Sequence, residues 1–420
     1  GIGWRRDELA QIGHLGSVGA QTVCWAAGRR TIRPMIDHTT TYTVELGFLP
    51  PDAAIPDPDH PGLLRAGDRA TAPYGREGVA VHRCLATDLR QTPDPNVDLL
   101  GAGFDTVDLA PLTELQSVFS RVREAQSITD ADAAAIRSAL DGAVLQCAGG
   151  VTLNVLHIAD EGMFMRTAGP NRMALVPDHS NGMNDHGPAT SVHADQDVFG
   201  TPMRQLMEGR APTLFRHDSP DGHNSDASLM MLNLWIPLQQ VTQPLVLADG
   251  RTVDRRRHQL RYGLPTGSFL ERDGEMSIND IWAFLPDADQ RWYFRSEMDH
   301  RVAYAFDTLS CPHGAAVLPG ESIAEQCTRA LMAAEAAAEL GNVIGAADAV
   351  SELADLHAPA DATPALRRAI DDMLAVAAEV RDPGSDRARS TDWVTQSRTA
   401  RQRVVRLSIE LRLVVSVTGS

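Results

Sequence analysis

The chain has 420 residues, 43% apolar and 22% charged, a composition that suits a globular protein with a large core. Its length fits two or three average domains, or one heavily decorated barrel. A formal net charge of −17 argues against a nucleic-acid partner, because phosphate binding needs a clustered basic surface.

The 5 cysteines, Cys24, Cys84, Cys147, Cys311 and Cys327, are scattered and form no C-x-x-C pair. Neither a disulfide framework nor a structural zinc site is therefore expected. No apolar run approaches the ~18 residues that a membrane span needs. Trp4, Arg5, Arg6, Asp7 and Glu8 are too polar to begin a signal peptide. The expectation is a soluble cytoplasmic protein with no membrane contact.

Residues 1–35 carry no clear pattern. Residues 39–49 are rich in β-branched and aromatic types and are stopped by Pro50 and Pro51, which predicts a strand. Residues 50–62 are rich in Pro and Asp and read as an exposed loop. Helical spacing covers 111–126 and 130–146, with Thr129 as N-cap of the second helix and Asp132 in its first turn. Strand patterning returns at 151–158. Further strands are expected at 191–196, 228–238, 243–248, 281–285, 291–295, 301–306 and 313–318, short segments bounded by Gly, Pro and Asp as in a jelly-roll or cupin-like barrel. Residues 321–380 turn helical and Ala-rich, with one run at 330–340 ended by Gly341 and a second helix at 363–380 broken by Asp382, Pro383 and Gly384. Residues 404–417 have strand composition, as expected of a segment that returns to complete a barrel.

The predicted class is α+β. Residues 1–110 form an N-terminal extension packed on the core, 111–320 the barrel, 321–400 a helical insertion and 401–420 the closing strand.

Among the 14 His, His193 stands in an H-x-D pair with Asp195. Residues i and i+2 of a strand point the same way, so both can reach one metal ion. Two histidines and one carboxylate hold Fe(II) on one face in non-haem oxygenases and leave positions open on the other. His313 and His300 compete as the second histidine; His300 follows Met298 and Asp299 in text that reads as a turn, which favours His313. His179, His186, His217, His223 and His258 lie in polar, turn-rich text and are expected to be exposed. Trp235, Trp292, Tyr293 and Phe294 are expected mainly in the core, as are the methionines near 203–207 and 230–231.

Several blocks in order resemble the bacterial and fungal hydroxylase/desaturase family that includes AsaB-like proteins and the cephamycin 7-alpha-hydroxylase component. They are LLGAGFDTV at 99–107, SVHADQ at 191–196, LNLWIPL at 232–238, QPLVLAD at 243–249, RWYF at 291–294, AFDT at 305–308, PHGA at 312–315 and RLSIELR at 406–412. The chain departs from the family at Ile236, where Arg is usual before the proline, and at Gln290, where His is usual. It also has a long excursion between His313 and Arg406.

The resemblance implies a double-stranded β-helix core that binds Fe(II) through His193, Asp195 and His313. It also implies 2-oxoglutarate as co-substrate, held at its far carboxylate by Arg406 and Ser408, with Arg412 on the same strand face as runner-up. An Arg fork and a hydroxyl match a carboxylate with charge-assisted hydrogen bonds. Arg329 lies in helical text and fits less well. With O2 as oxidant, the implied reaction is hydroxylation, desaturation or oxidative ring closure of a small-molecule secondary metabolite. Asp195 argues against halogenation, which in this superfamily needs a small residue there. Two alternatives stay open: a partner-dependent or non-catalytic subunit, and a cupin-type metalloenzyme that does not use 2-oxoglutarate. The excursion at 321–380 is a candidate homodimer contact.

Overall fold

The computed structural model describes residues 40–66, 79–159, 162–176, 182–265, 278–385, 390 and 392–418. Cys24, His179 and the polar N-terminal segment lie outside them. The early strands are β1 (Thr41–Phe48), β2 (Ala54–Pro56), β3 (Leu64–Ala66), β4 (Ala80–Asp88) and β5 (Phe104–Asp108). Helices α1 (Thr113–Ala125) and α2 (Asp130–Leu140) follow, then β6 (Val144–Gln146), β7 (Thr152–Ile158), β8 (Phe164–Ala168) and β9 (His193–Ala194). After short helical turns come β10 (His217–Ser219), β11 (Gly222–Asn224), β12 (Leu229–Pro237), β13 (Leu245–Ala248), β14 (Gln259–Pro265) and β15 (Ile278–Phe284). The chain continues through β16 (Trp292–Phe294), β17 (Val302–Asp307) and β18 (His313–Ala315). Helices α3 (Glu321–Glu339), α4 (Val343–Ala349), α5 (Pro364–Val380) and α6 (Asp392–Gln402) precede the last strand, β19 (Arg406–Thr418).

Two large sheets organise the described residues. One runs β1-β4-β16-β13-β18-β9-β15-β14-β3-β2; the other runs β5-β17-β12-β19-β7-β6, with β8 also paired to β19. From Phe164 onward the chain crosses between them: β8 in the second sheet, β9 in the first, β12 in the second, β13 and β16 in the first, β17 in the second, β18 in the first and β19 in the second.

Strand periodicity assigns the faces. On β19, Leu407, Ile409, Leu411 and Leu413 join an apolar cluster with Leu115, Phe119 and Ile136 of α1 and α2. On the other sheet, Val192, Ala194, Val246 and Ala248 pack with Leu331, Leu366 and Ile370 of the helical insertion. Helices thus cover the outer face of each sheet, and the space between the sheets receives the alternate residues. Trp235, Leu245, Leu247, Tyr304 and Phe306 fill part of that interior.

Local chemistry explains where the elements depart from expectation. The second helix begins as expected, with a capping box between Thr129 and Asp132. It ends at Leu140 rather than 146, because Asp141 turns extended and Gly142 adopts φ +65°. Val144–Gln146 is instead a strand. Residues 50–62 hold a 3₁₀ turn at Pro51–Ala53 and the strand β2, not loop alone. β4, β5, β8 and β14 are strands beyond those expected, and the strand expected at 191–196 narrows to His193–Ala194.

One glycine matters for the site. A Cβ at Gly47 would stand 2.2 Å from the Thr190 carbonyl oxygen, so only glycine lets β1 lie against the segment that leads into β9. Val192 N–H donates to the Gly47 carbonyl at 2.8 Å. Gly47→Ala is expected to displace that segment, cost about 1–3 kcal/mol in urea unfolding, and weaken metal binding at His193 in a calorimetric titration.

Candidate metal centre

Cross-strand register builds the site. His193 of β9 pairs with His313 of β18, which places their rings side by side with centroids 4.4 Å apart. Asp195 follows β9 by one residue and turns to the same side. His193 Nε2 lies 3.5 Å from Asp195 Oδ1, and His313 Nε2 lies 4.0 Å from Asp195 Oδ2. One ligand atom from each of the three falls within 4.8 Å of the others. All three residues are buried.

The tautomers follow from the backbone. His193 Nδ1 is 2.9 Å from the Ser191 carbonyl oxygen, and His313 Nδ1 is 3.1 Å from that of Cys311. A carbonyl only accepts, so each Nδ1 carries the proton and each Nε2 keeps its lone pair for a metal ion. Burial, reinforced by the neighbouring His193, pushes His313 down to about 4. Its Nε2 is therefore unprotonated at neutral pH. The Phe306 ring packs 4.4 Å from that of His313 between centroids and helps keep water from it.

Asp195 is buried as a carboxylate with donors on both oxygens. Burial alone would raise its pKa, but Arg412 and the adjacent His193 and His313 outweigh that and hold it well below the usual range. Arg412 Nη2 lies 3.0 Å from Oδ1, and Asn233 Nδ2 donates to Oδ2 at 2.9 Å. Isolated buried charges are costly, and pairing with hydrogen bonds offsets the loss of water.

The inner face of β19 carries Arg406, Ser408, Glu410 and Arg412, all buried. Glu410 accepts from Arg166 Nε at 2.8 Å. Arg406 is 4% exposed; burial and the nearby Arg166 lower its pKa to about 10, against Glu410 and Glu321, so it stays charged at neutral pH. Arg406 Nε and Ser408 Oγ are both buried with no hydrogen-bond partner among the described residues. Buried polar atoms in native proteins are seldom left so. The two atoms lie one strand repeat apart on the inner face of β19.

The other residues weighed from the sequence fall elsewhere. His300 is half-buried, with Nδ1 2.5 Å from Gln116 Oε1 of α1. His217 is not exposed as expected: it is buried, with Nε2 3.1 Å from the Pro212 carbonyl oxygen and its ring edge-on to Phe199. His258 is half-buried beside Asp287 at 3.2 Å, and His186 is half-buried, whereas His223 is exposed. Arg329 pairs with Glu325 on the insertion surface. Arg412 shares the inner face with Arg406 but is engaged by Asp195. Trp235, Trp292, Tyr293, Phe294, Met203, Met207, Met230 and Met231 are in the core.

Two residues of the site escaped sequence reading. Asn233 is a lone polar residue in the apolar strand Leu229–Pro237, and that isolation is its signal. Glu321 opens α3 with both carboxylate oxygens accepting backbone N–H groups, from Leu318 at 2.7 Å and Asn171 at 2.8 Å. It has no signature in the sequence.

Residues 163–326 match a family model described as an oxidoreductase/YMDC permease-like domain. No curated protein matches. Among solved structures, one titled iron and alpha-ketoglutarate-dependent endoperoxidase NvfI aligns at 15% identity over 90% of this chain and 98% of its own, with TM-score 0.44. The same protein in a different conformation aligns over 92% of this chain and 100% of its own, at 15% identity and TM-score 0.46. At that identity and TM-score the likeness assigns neither fold nor function to this chain.

Replacing His193, Asp195 or His313 with Ala is expected to weaken Fe(II) or Co(II) binding, measured calorimetrically, by more than the roughly 10–100-fold that losing an outer partner costs. His300→Ala should leave binding unchanged. A second expectation concerns pH. Burial pushes Glu321 from 4.5 up to about 7, opposed by its backbone donors, Arg406 and Arg172. The folded chain then binds the extra proton between those values, so this group's contribution to stability falls as pH rises through that window. Glu321→Gln should flatten the difference in urea-unfolding free energy between about pH 5 and about pH 8.

Proposed function

We propose that this chain is a non-haem Fe(II)- and 2-oxoglutarate-dependent oxygenase that oxidises an unactivated C–H bond of a small-molecule secondary metabolite in the cytoplasm. The alternation of strands between two sheets from β8 to β19 supports a double-stranded β-helix core. The observation that carries the reading is the buried His193–Asp195–His313 face inside the same sandwich as the unpartnered Arg406 Nε and Ser408 Oγ. The oxidoreductase description of the matching family model agrees with it.

The residues fit the groups they would hold. Two imidazole Nε2 atoms with fixed lone pairs and one ionised carboxylate are the donor set of a facial iron site with open positions. Arg406 and Ser408 supply a charged fork and a hydroxyl, which match the far carboxylate of 2-oxoglutarate. When bound, iron and 2-oxoglutarate supply the oxidising power, drawn from O2, that no side chain has. The chain's own work is to orient and to exclude water. Ser191 and Cys311 carbonyls fix the two rings, and Phe306 and Trp235 keep the interior apolar. Arg166 neutralises Glu410 so that no bare carboxylate opposes an anionic co-substrate. A metalloenzyme without 2-oxoglutarate would leave Arg406 and Ser408 with no ligand.

The test is turnover of 2-oxoglutarate to succinate, dependent on both Fe(II) and O2. Arg406→Met is expected to weaken 2-oxoglutarate binding to the metal-loaded protein roughly 10- to 100-fold, as loss of a charged hydrogen bond predicts, and to suppress succinate release. Undiminished binding in Arg406→Met would remove Arg406 from the co-substrate site.

A further inference from the structure

Asn233 and Arg412 come from neighbouring strands and meet on one carboxylate. Asn233 of β12 pairs in register with Arg412 of β19, and both lie on the faces turned toward the other sheet. Asn233 is 1% exposed in a strand that is otherwise apolar. An amide there loses its hydration, and a bond to Asp195 Oδ2 at 2.9 Å is what it receives in exchange. Arg412 Nη2 takes the other oxygen at 3.0 Å.

The rest of each group is unsatisfied. Asn233 Oδ1 and Arg412 Nε are both buried with no hydrogen-bond partner among the described residues. A polar network kept for stability alone would be expected to close its bonds, since a partly satisfied one is unfavourable in a low-dielectric interior. Here each side chain directs a donor to Asp195, and that contact is the one side-chain bond each has among the described residues.

We propose that Asn233 and Arg412 are a positioning pair that fixes the rotation of the Asp195 carboxylate, so that a metal ion held by His193 and His313 meets an oxygen already oriented. This inference rests on the iron-site reading above and deepens it. Two donors on two different oxygens, from two adjacent strands, hold the carboxylate plane in a way that one donor does not. Arg412 is thereby committed to Asp195, and the co-substrate carboxylate is left to Arg406 and Ser408.

The experiment uses Co(II) as the probe, with its affinity and visible d–d absorption measured on the full chain and thermal unfolding of the metal-free protein as control. Asn233→Leu, close in size but without a donor, is expected to weaken Co(II) binding about 10- to 100-fold and to alter the d–d band, with the metal-free protein still folded. Arg412→Met should do the same, and Arg412→Lys should recover part of the loss because it keeps a donor and the charge. Should Asn233→Leu fail to fold, the contrast between Arg412→Met and Arg412→Lys decides the matter. Parental affinity and an unchanged band in the folded variants would overturn the positioning role, provided His193→Ala still abolishes binding. A parent that binds no Co(II), or a His193→Ala variant that binds it as well as the parent, would overturn the metal site itself and the inference with it.

Discussion

A carboxylate buried between two imidazoles loses several kcal/mol of hydration unless other charges and donors replace the water. Asp195 is in that position, and much of the interior is arranged around it. Arg412 from β19 and Asn233 from β12 supply the replacement, and the backbone carbonyls of Ser191 and Cys311 hold the two rings with their Nε2 atoms on the Asp195 side. The result is a carboxylate paired with Arg412 and set beside two imidazole Nε2 atoms. That arrangement suits a divalent cation better than it suits the metal-free protein.

The two faces of β19 show how one strand serves fold and site together. Its odd-numbered residues from Leu407 to Leu413 join the helix-backed core, while Arg406, Ser408, Glu410 and Arg412 line the interior. A one-residue slip of this strand would exchange the two sets. The bulk of leucine and isoleucine on the outer face therefore also fixes the register of the charged face. The helical insertion contributes from behind: α3 and α5 cover the first sheet, and Glu321 ties the start of α3 to the turn after β8 through Asn171. The long excursion before β19 is thus a packed layer and reaches the neighbourhood of Arg406.

Much of this was legible in the chain because it rests on local chemistry. The i, i+2 spacing of His193 and Asp195, the histidine opening a short strand at 313, and the alternate polar residues of 406–412 are all statements about strands. The spacings need no tertiary information, although the roles of His313 and of Arg406 and Ser408 were implied by the resemblance, and the structure brings His193, Asp195 and His313 together. Thr129 and Asp132 announce a helix start for the same reason. What escaped depends on register or on packing. Nothing near Arg412 in sequence says that it faces Asp195 rather than a co-substrate; only its pairing opposite Asn233 does. His217 reads as a surface residue because its neighbours are polar, yet Phe199 and the Pro212 carbonyl bury it. Strands such as β6 and β14 are too short or too polar to stand out, and they exist because partners β7 and β15 complete their hydrogen bonds.

The central claim is that one site binds a ferrous ion and 2-oxoglutarate together. Anaerobic titration of the purified protein with Fe(II) and 2-oxoglutarate tests it directly, because chelation of the metal by the keto acid gives a weak visible charge-transfer band that neither component gives alone. The account predicts that band in the parent protein, its loss in His193→Ala and its weakening in Arg406→Ala. A folded, iron-loaded protein that shows no band when 2-oxoglutarate is added would contradict it.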